Sequence, residues 1–176
     1  FLSTTIDTNT VNRNLKLSED NRKVTWMKEL QSYPDHPDRF NYWPQLLCRN
    51  GLTGCCYWEV EWRGRVYISV SYRSIKRKGD GIDSWFGGND QSWSLRCSDF
   101  FFFFFFFFFF FFFFFCHNNR VTSISSSVSY RVAVNVDCPA GILSFYRISS
   151  NSPDPPHTFN TTFTEPLLPG FGVWVL

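Results

Sequence analysis

The sequence predicts an all-β protein, a sandwich of two antiparallel sheets. Three observations indicate this fold class: apolar residues recur at every second position in several short segments, turn-forming residues separate those segments, and no stretch of useful length has the period of an amphipathic helix. A chain of 176 residues is long enough to bury the core of one domain without metal ions or disulfide bonds. We therefore expect one domain of many short strands.

The first predicted pair of strands lies near the start of the chain. Leu15 and Leu17 alternate with polar residues, Val24 and Trp26 do the same, and residues 18–23 between them are typical of a turn. Pairing Leu17 with Val24 also places Leu15 opposite Trp26. The four apolar side chains then share one face of a hairpin.

The central prediction is a second hairpin within residues 58–72. All its large apolar side chains fall on one face if Trp62 pairs with Val66 across a three-residue turn, whereas a two-residue turn would put Glu59 and Glu61 on that face. Gly64 in this turn is expected to supply a positive φ. The side chains expected on the shared face are Trp58, Val60, Trp62, Val66, Ile68, Val70 and Tyr72.

A third hairpin is predicted beyond the middle of the chain. Pairing Val136 with Leu143 across the turn at residues 137–141 sets Val134 opposite Phe145. Two further segments predict single strands, one beginning at residues 93–95 and one within the apolar stretch 167–176.

Two connecting segments carry aromatic and basic residues. Residues 33–44 contain three prolines and four aromatic residues without a period, which indicates a surface loop. Its aromatic residues either form a contact surface or include a lid, Phe40, Tyr42 or Trp43, that folds back over the core. The basic cluster Arg73, Lys76, Arg77 and Lys78 is expected to be a solvated loop rather than a site for RNA or a nuclear importer.

The run of sixteen phenylalanines, Phe100 to Phe115, fits no single regular element. A helix of this length would span about 24 Å, short of the roughly 30 Å hydrocarbon core of a membrane. One strand would span about 53 Å, far more than the roughly 17–20 Å of an ordinary strand. Our preferred interpretation is a repeat in the coding sequence, or an assembly error, that overwrote native residues. A genuine, aggregation-prone run and a membrane anchor are the other two interpretations.

Composition argues against several classes of function. A net charge of +2 gives no strong field for nucleic acid or membranes, and no charged and apolar leader opens the chain, whose first residues resemble the edge of an excised segment. The cysteines are expected to be reduced, because a chain this long does not need disulfide bonds; neighbouring Cys55 and Cys56 also point to opposite faces of a strand. Paired cysteines, or glycosylation of the sequon at Asn160, would instead indicate a secreted protein.

No pattern of residues predicts catalysis. The three histidines lie in different segments, and neither a nucleophile elbow nor a phosphate-binding glycine loop occurs. Cys97, Cys116 and His117 match no known zinc spacing. We expect no catalytic residue, no metal ion and no cofactor.

Three motifs stand out along the chain: residues 6–13 running into 17–24, residues 57–61 (Tyr-Trp-Glu-Val-Glu), and residues 131–137 followed by 141–146. They resemble the motifs of the PRY-SPRY family, the C-terminal recognition domain of tripartite-motif ubiquitin ligases, butyrophilins and NACHT/leucine-rich-repeat receptors, and residues 157–159 and 166–171 match its closing pattern. The resemblance implies a concanavalin A-like sandwich. It also implies a single PRY-SPRY domain over residues 1–176, with its PRY part at about 1–48, its SPRY part at about 49–176 and a low-complexity insertion at 100–115.

The sequence departs from the family pattern at three places. Thr8 stands where the family usually has proline, and Cys138-Pro139 stands where it often has Tyr-Glu. The phenylalanine run stands where the family has a short strand, between Trp93-Ser-Leu and His117-Asn. We therefore expect that strand to be missing and the run to be a damaged or disordered insertion in a surviving sandwich.

The resemblance implies a non-catalytic module that binds a protein or peptide ligand through variable loops. Ligase or signalling activity, and any oligomerisation, would belong to upstream domains of a larger cytoplasmic protein of innate immunity or ubiquitin ligation. Neither nucleic acid nor a membrane is an expected partner. Two alternatives remain: a lectin-like carbohydrate-binding domain, and the PRY-SPRY domain of a secreted or toxin-like protein. The expected contact residues are Tyr33, Arg39, Phe40 and Trp43 on one loop and Arg77, Asp83 and Trp85 on another.

Overall fold

The computed structural model describes residues 4–104, 106–124, 129–149 and 155–175, with residues 100–104 and 106–110 described as backbone alone. The described part is built of strands with one short 3-10 turn, Ile82–Ser84, so the predicted all-β class is confirmed. The strands are β1 Leu15–Ser18, β2 Lys23–Trp26, β3 Gln45–Leu47, β4 Cys55–Glu61, β5 Arg65–Tyr72, β6 Ser92–Phe104, β7 Phe106–His117, β8 Arg120–Ile124, β9 Arg131–Asp137, β10 Ile142–Arg147, β11 His157–Asn160 and β12 Leu167–Val173.

Two antiparallel sheets form the sandwich. One has six strands in the order β3-β12-β5-β6-β7-β8, and the other has four in the order β11-β10-β9-β4. Their inner faces enclose one apolar core, because alternate residues of each strand point inward. Side chains at 8% exposure or less line this core, among them Trp58, Val134 and Phe145 from the smaller sheet and Ile68, Leu95 and Phe113 from the larger one.

The first and third predicted hairpins are confirmed in their register. Strands β1 and β2 form a separate small sheet in which Leu15 faces Trp26 and Leu17 faces Val24. Strands β9 and β10 pair with Val136 opposite Leu143 and Val134 opposite Phe145. The small sheet packs on a second apolar cluster of its own, which includes Ile6, Val11, Leu15, Leu46 and Cys48.

The predicted pairing of the central hairpin is wrong, but the side chains predicted to face the core do face it. Trp58 of β4 faces Val134 of β9, whereas Ile68 of β5 faces Leu95 of β6 and Phe171 of β12. The turn around Gly64, which has the expected positive φ of +76°, therefore carries the chain from one sheet to the other. Two strands on opposite sheets both direct their apolar faces to the shared core, so alternation alone fits either arrangement.

The phenylalanine run is divided between β6 and β7, which pair antiparallel out to Phe104 opposite Phe106. The expectation that the family's strand is missing is wrong, because the last residues of the run form it: Phe113 and Phe115 are 1% and 3% exposed in the core, and Phe112 points outward at 43%. The hairpin extends beyond its flanking strands, whose last pairs are Arg65 with Ser98 and Ile124 with Phe113.

Candidate functional site

The structure joins the two loops that the sequence singled out. Arg77 Nε donates to the Asp38 carbonyl oxygen at 3.0 Å, and Lys78 Nζ donates to that of Arg39 at 2.7 Å. The amide of Gly79 donates to Asn41 Oδ1 at 2.9 Å. These bonds tie residues 33–43 to residues 77–85, so the two loops form one continuous surface rather than two independent ones.

Three of the expected contact residues lie beneath this surface. Phe40 is 1% exposed, Arg39 5% and Arg77 9%. Arg39 donates to the carbonyl oxygens of Thr8, Val11 and Pro34, and Arg77 donates to those of Asp38, Ile75 and Arg73. Burial lowers the pKa of both guanidinium groups. Their hydrogen-bond donors are directed at backbone carbonyls, which fixes the paths of both loops.

Tyr33 is a further brace of the first loop. Its hydroxyl donates to the Leu15 carbonyl oxygen at 2.8 Å, and the Arg39 guanidinium lies 5.2 Å from its ring centre. Burial raises the pKa of this tyrosine. The half-buried ring thus connects the loop to the small sheet.

Trp43 and Trp85 lie face to face at the outer side of the joined loops. Their ring centres are 5.3 Å apart with planes inclined by 23°, and the Trp43 Nε1 donates to the Gly81 carbonyl oxygen at 3.1 Å. Tyr42 packs edge-on against Trp43 and is 57% exposed, and Ile82 is 52% exposed. We call these four residues, Tyr42, Trp43, Ile82 and Trp85, the aromatic surface.

Asp83 lies at the rim of the aromatic surface. Its carboxylate accepts from Lys76 Nζ at 2.7 Å, and this hydrogen bond holds the pKa of Asp83 below its ordinary value. Both side chains are more than half exposed, so this ion pair adds little to stability. It leaves the rim with no net charge at this point.

Two residues beneath the surface were missed by the sequence reasoning. The Arg96 guanidinium lies 3.6 Å from the Trp85 ring centre, and the Tyr67 ring meets Trp85 edge-on at 5.9 Å. Both residues point away from the core, between inward residues such as Ile68 and Leu95. Their alternation with apolar neighbours was a usable signal, but only the pairing of β5 with β6 brings them together.

A groove of about 480 Å³ runs beside the aromatic surface, between the first loop and the segment before β1. Arg13 and Asp35 form an ion pair of 2.6 Å at its wall, and Leu30, 67% exposed, lies at its edge. Its other lining residues are Asn12, Asn14, His36, Pro37, Arg39, Phe40, Asn41 and Lys78. The mixed polar and apolar lining suits a peptide better than an apolar small molecule.

Within the described ranges, no group of three or more histidine, cysteine or carboxylate residues is placed to hold a metal ion. Burial raises the pKa of the Cys48 thiol to about 12 and that of Cys97 well above its ordinary value, so these thiols are poor nucleophiles. Of the residues described, no helix is long and apolar enough to cross a membrane.

Comparisons with known proteins point to one family. The sequence model of the PRY domain, described as SPRY-associated, matches residues 4–52. The chain is 38% identical to neoverrucotoxin subunit alpha of Synanceia verrucosa over 95% of this chain and 23% of that protein. It is 44% identical to vespryn of Pogona barbata over 43% of this chain and 69% of vespryn.

Two solved structures have the same fold. The stonustoxin structure superposes with a TM-score of 0.84 at 33% identity, covering 98% of this chain and 27% of that one. The TRIM65 PSpry domain superposes with a TM-score of 0.80 at 25% identity, covering 97% and 85%. The chain spans about a quarter of the length of the toxin subunits that it matches.

Proposed function

The chain belongs to the PRY-SPRY family, and from this premise we propose that it is a non-catalytic recognition module whose aromatic surface binds a protein or peptide ligand. One observation carries the proposal: stacked Trp43 and Trp85 lie on two loops that are tied together, beside exposed Tyr42 and Ile82. Aromatic side chains dominate the binding energy of protein interfaces.

The bracing beneath the loops supports this proposal. A surface that is ordered before binding loses less conformational entropy when a ligand arrives. Arg39 and Arg77 hold the loops through backbone carbonyls, and Phe40 fills the space below them. We assign direct contact to Trp43, Trp85 and the rim residue Asp83, and a positioning role to Tyr33, Arg39, Phe40 and Arg77.

The experiment begins with ligands selected from a random peptide library displayed on phage, with the wild-type domain as bait. Dissociation constants are then measured by fluorescence anisotropy for wild type, Trp43→Ala and Tyr146→Ala. Tyr146 is the matched control because it is a half-buried aromatic residue on β10 of the other sheet. Trp43→Ala should weaken binding at least about tenfold, the loss of an interface hot spot.

Thermal unfolding of each variant separates lost contacts from lost folding. Tyr146→Ala should bind within about twofold of wild type, because surface changes outside an interface are nearly neutral. Selected ligands that bind all three proteins equally would show that the aromatic surface is not the site. A library that yields no ligand for the wild type would contradict the recognition module itself.

The larger protein around this domain has two candidate settings. The first is a cytoplasmic protein of innate immunity or ubiquitin ligation, in which this module chooses the target and upstream domains carry the ligase or signalling activity. The likeness to the TRIM65 PSpry domain supports it. The second is a secreted, toxin-like protein, supported by 38% identity to neoverrucotoxin subunit alpha along nearly the whole chain.

The two settings differ in covalent chemistry that mass spectrometry reads directly. Asn160 and both following threonines are exposed, so the sequon is accessible to glycosylation. Protein isolated from its native source should carry a glycan at Asn160 in the secreted setting. An unmodified Asn160 together with six alkylatable thiols supports the cytoplasmic setting.

A further inference from the structure

Arg96 lies on the outer face of the six-stranded sheet, at the base of the aromatic surface. Its neighbours Leu95 and Cys97 point into the core at 0% and 1% exposure, so alternation along β6 directs Arg96 outward. The guanidinium packs on the face of Trp85 at 3.6 Å, and Trp43 packs on Trp85 as well. The charged group is half-buried at one side of the tryptophan stack.

This guanidinium has no acidic counter-charge in the described part of the chain. All ion pairs found there use other basic residues: Arg13, Lys23, His36, Arg73, Lys76 and Arg131. The groups that act on Arg96 electrostatically are Cys116 and Tyr67, and burial raises the pKa of both, so both are neutral near pH 7. Arg96 is therefore a partly desolvated cation beside neutral groups.

The hydrogen bonds of Arg96 are also incomplete. Its Nε is buried and has no partner among the described residues. The contrast with Arg39 and Arg77 is informative, since those two buried guanidinium groups each donate to several backbone carbonyls. A half-buried charge without a counter-charge and a buried donor without a partner are both costly, and an anion that pairs with the guanidinium would offset the cost of the charge.

We infer that Arg96 is the anion-binding residue of the aromatic surface and receives the carboxylate of an aspartate or glutamate from the partner protein. The planar guanidinium can donate two parallel hydrogen bonds to a carboxylate, and it packs over the Trp85 ring at 3.6 Å. The aromatic surface then receives the apolar residues that flank the acid. This inference rests on the proposed function and names the chemistry of its ligand.

The test is an array of three sets of 15-residue peptides. The sets have the same random mixture at every position except the central one, which is glutamate, glutamine or phosphoserine. The array is probed with wild type, Arg96→Gln, Arg96→Lys and the control Arg22→Gln. Arg22 is an exposed residue in the turn between β1 and β2, so its variant removes the same charge from a distant place. Thermal unfolding reports whether each variant is folded.

Wild type and Arg22→Gln should bind the glutamate set at least about tenfold better than the glutamine set, as expected for a charge-assisted pair. Arg96→Gln should lose this preference. Arg96→Lys should retain part of it, because lysine keeps the charge without the two-pronged geometry. If Arg96→Gln does not fold, the Arg96→Lys result decides, and an unchanged preference there overturns the two-pronged contact.

The remaining outcomes separate this inference from the proposed function. Peptides that bind wild type without preference for glutamate would overturn the role of Arg96 and leave the recognition module standing. A phosphoserine set that exceeds the glutamate set would replace carboxylate by phosphate as the ligand group. No binding by any set would reject both the module and the anion site.

Discussion

Single residues of the two loops divide into those that brace and those that face outward. Phe40 is 1% exposed and meets Phe86 edge-on at 5.6 Å, whereas Tyr42, two positions later, is 57% exposed. Of the three residues considered from sequence as a lid, Phe40 is the one that folds back into the interior. It packs in a cluster with Leu47, Ile75 and Leu168. Neighbouring aromatic residues of one loop therefore have opposite roles.

Phe40→Ala should lower the free energy of unfolding by about 3–5 kcal/mol, the usual effect of emptying a buried phenylalanine site. Tyr42→Ala is the matched control and should cost less than about 1 kcal/mol, because its ring lies mostly in solvent. Urea denaturation followed by tryptophan fluorescence measures both. Equal losses in the two variants would contradict the assigned division.

The sequence allowed some residues of the candidate site to be proposed. Loop composition pointed to Trp43 and Trp85, since loops run over the surface and aromatic residues there are notable. It could not distinguish them from Phe40, because depth depends on which loops meet in three dimensions. Arg96 and Tyr67 were missed for a similar reason. In the sequence each is only a residue expected on the outer face of a strand, and the pairing of β5 with β6 is needed to place them side by side.

At the scale of elements, local register was predictable and long-range pairing was not. The β1–β2 and β9–β10 hairpins have short turns, so alternation and turn length together determine their partners. The segment around Gly64 also has a turn signal, yet β4 pairs with β9, some seventy residues away. Nothing in the local pattern distinguishes a hairpin from a crossing between sheets.

The β6–β7 hairpin is the element most exposed to self-association. Between the last pairs with β5 and β8 and its tip, no described strand lies beside either of its edges. A two-stranded ribbon with open edges and a phenylalanine sequence favours pairing with other copies. This end of the hairpin extends past the strands that enclose the core.

Replacing residues 100–110 by Asn-Gly should preserve the fold and reduce aggregation, because Asp99 and Phe111 remain opposite each other across a two-residue turn. Unfolding in urea and static light scattering over a range of concentrations measure the two effects. Phe113→Ala in the shortened chain is the control and should cost about 3–5 kcal/mol, since Phe113 is buried. A shortened chain that no longer folds would show that the ribbon supports the sandwich.

At the scale of the whole molecule, the fold buries several ionisable groups and keeps them neutral. Burial raises the pKa of Tyr67 from 10.0 to about 12 and that of Cys48 from 9.0 to about 12. A raised pKa means that the folded state holds its proton more tightly than the unfolded chain. These protonated groups contribute fully to the free energy of unfolding below their pKa in the unfolded chain. That contribution is lost as the pH rises through their pKa in the folded protein.

The wild-type domain should therefore lose stability between about pH 9 and pH 12. Tyr67 contributes at most roughly 3 kcal/mol of this loss, since one pKa unit corresponds to about 1.4 kcal/mol. Tyr67→Phe should reduce the loss by that amount, whereas Tyr42→Phe, which removes an exposed hydroxyl, should leave it unchanged. Urea denaturation at pH 9, 10, 11 and 12 provides the measurement. A pH dependence that is the same in all three proteins would contradict this origin.

The last strand of the domain lies inside the larger sheet, second from one edge, where β12 joins β3 on one side to β5 on the other. A ribosome making this chain must release β12 before the early and central parts can be linked. Until then β3 and β5 lack the strand that lies between them, and the apolar side chains that β12 covers stay exposed in the nascent chain, which favours aggregation.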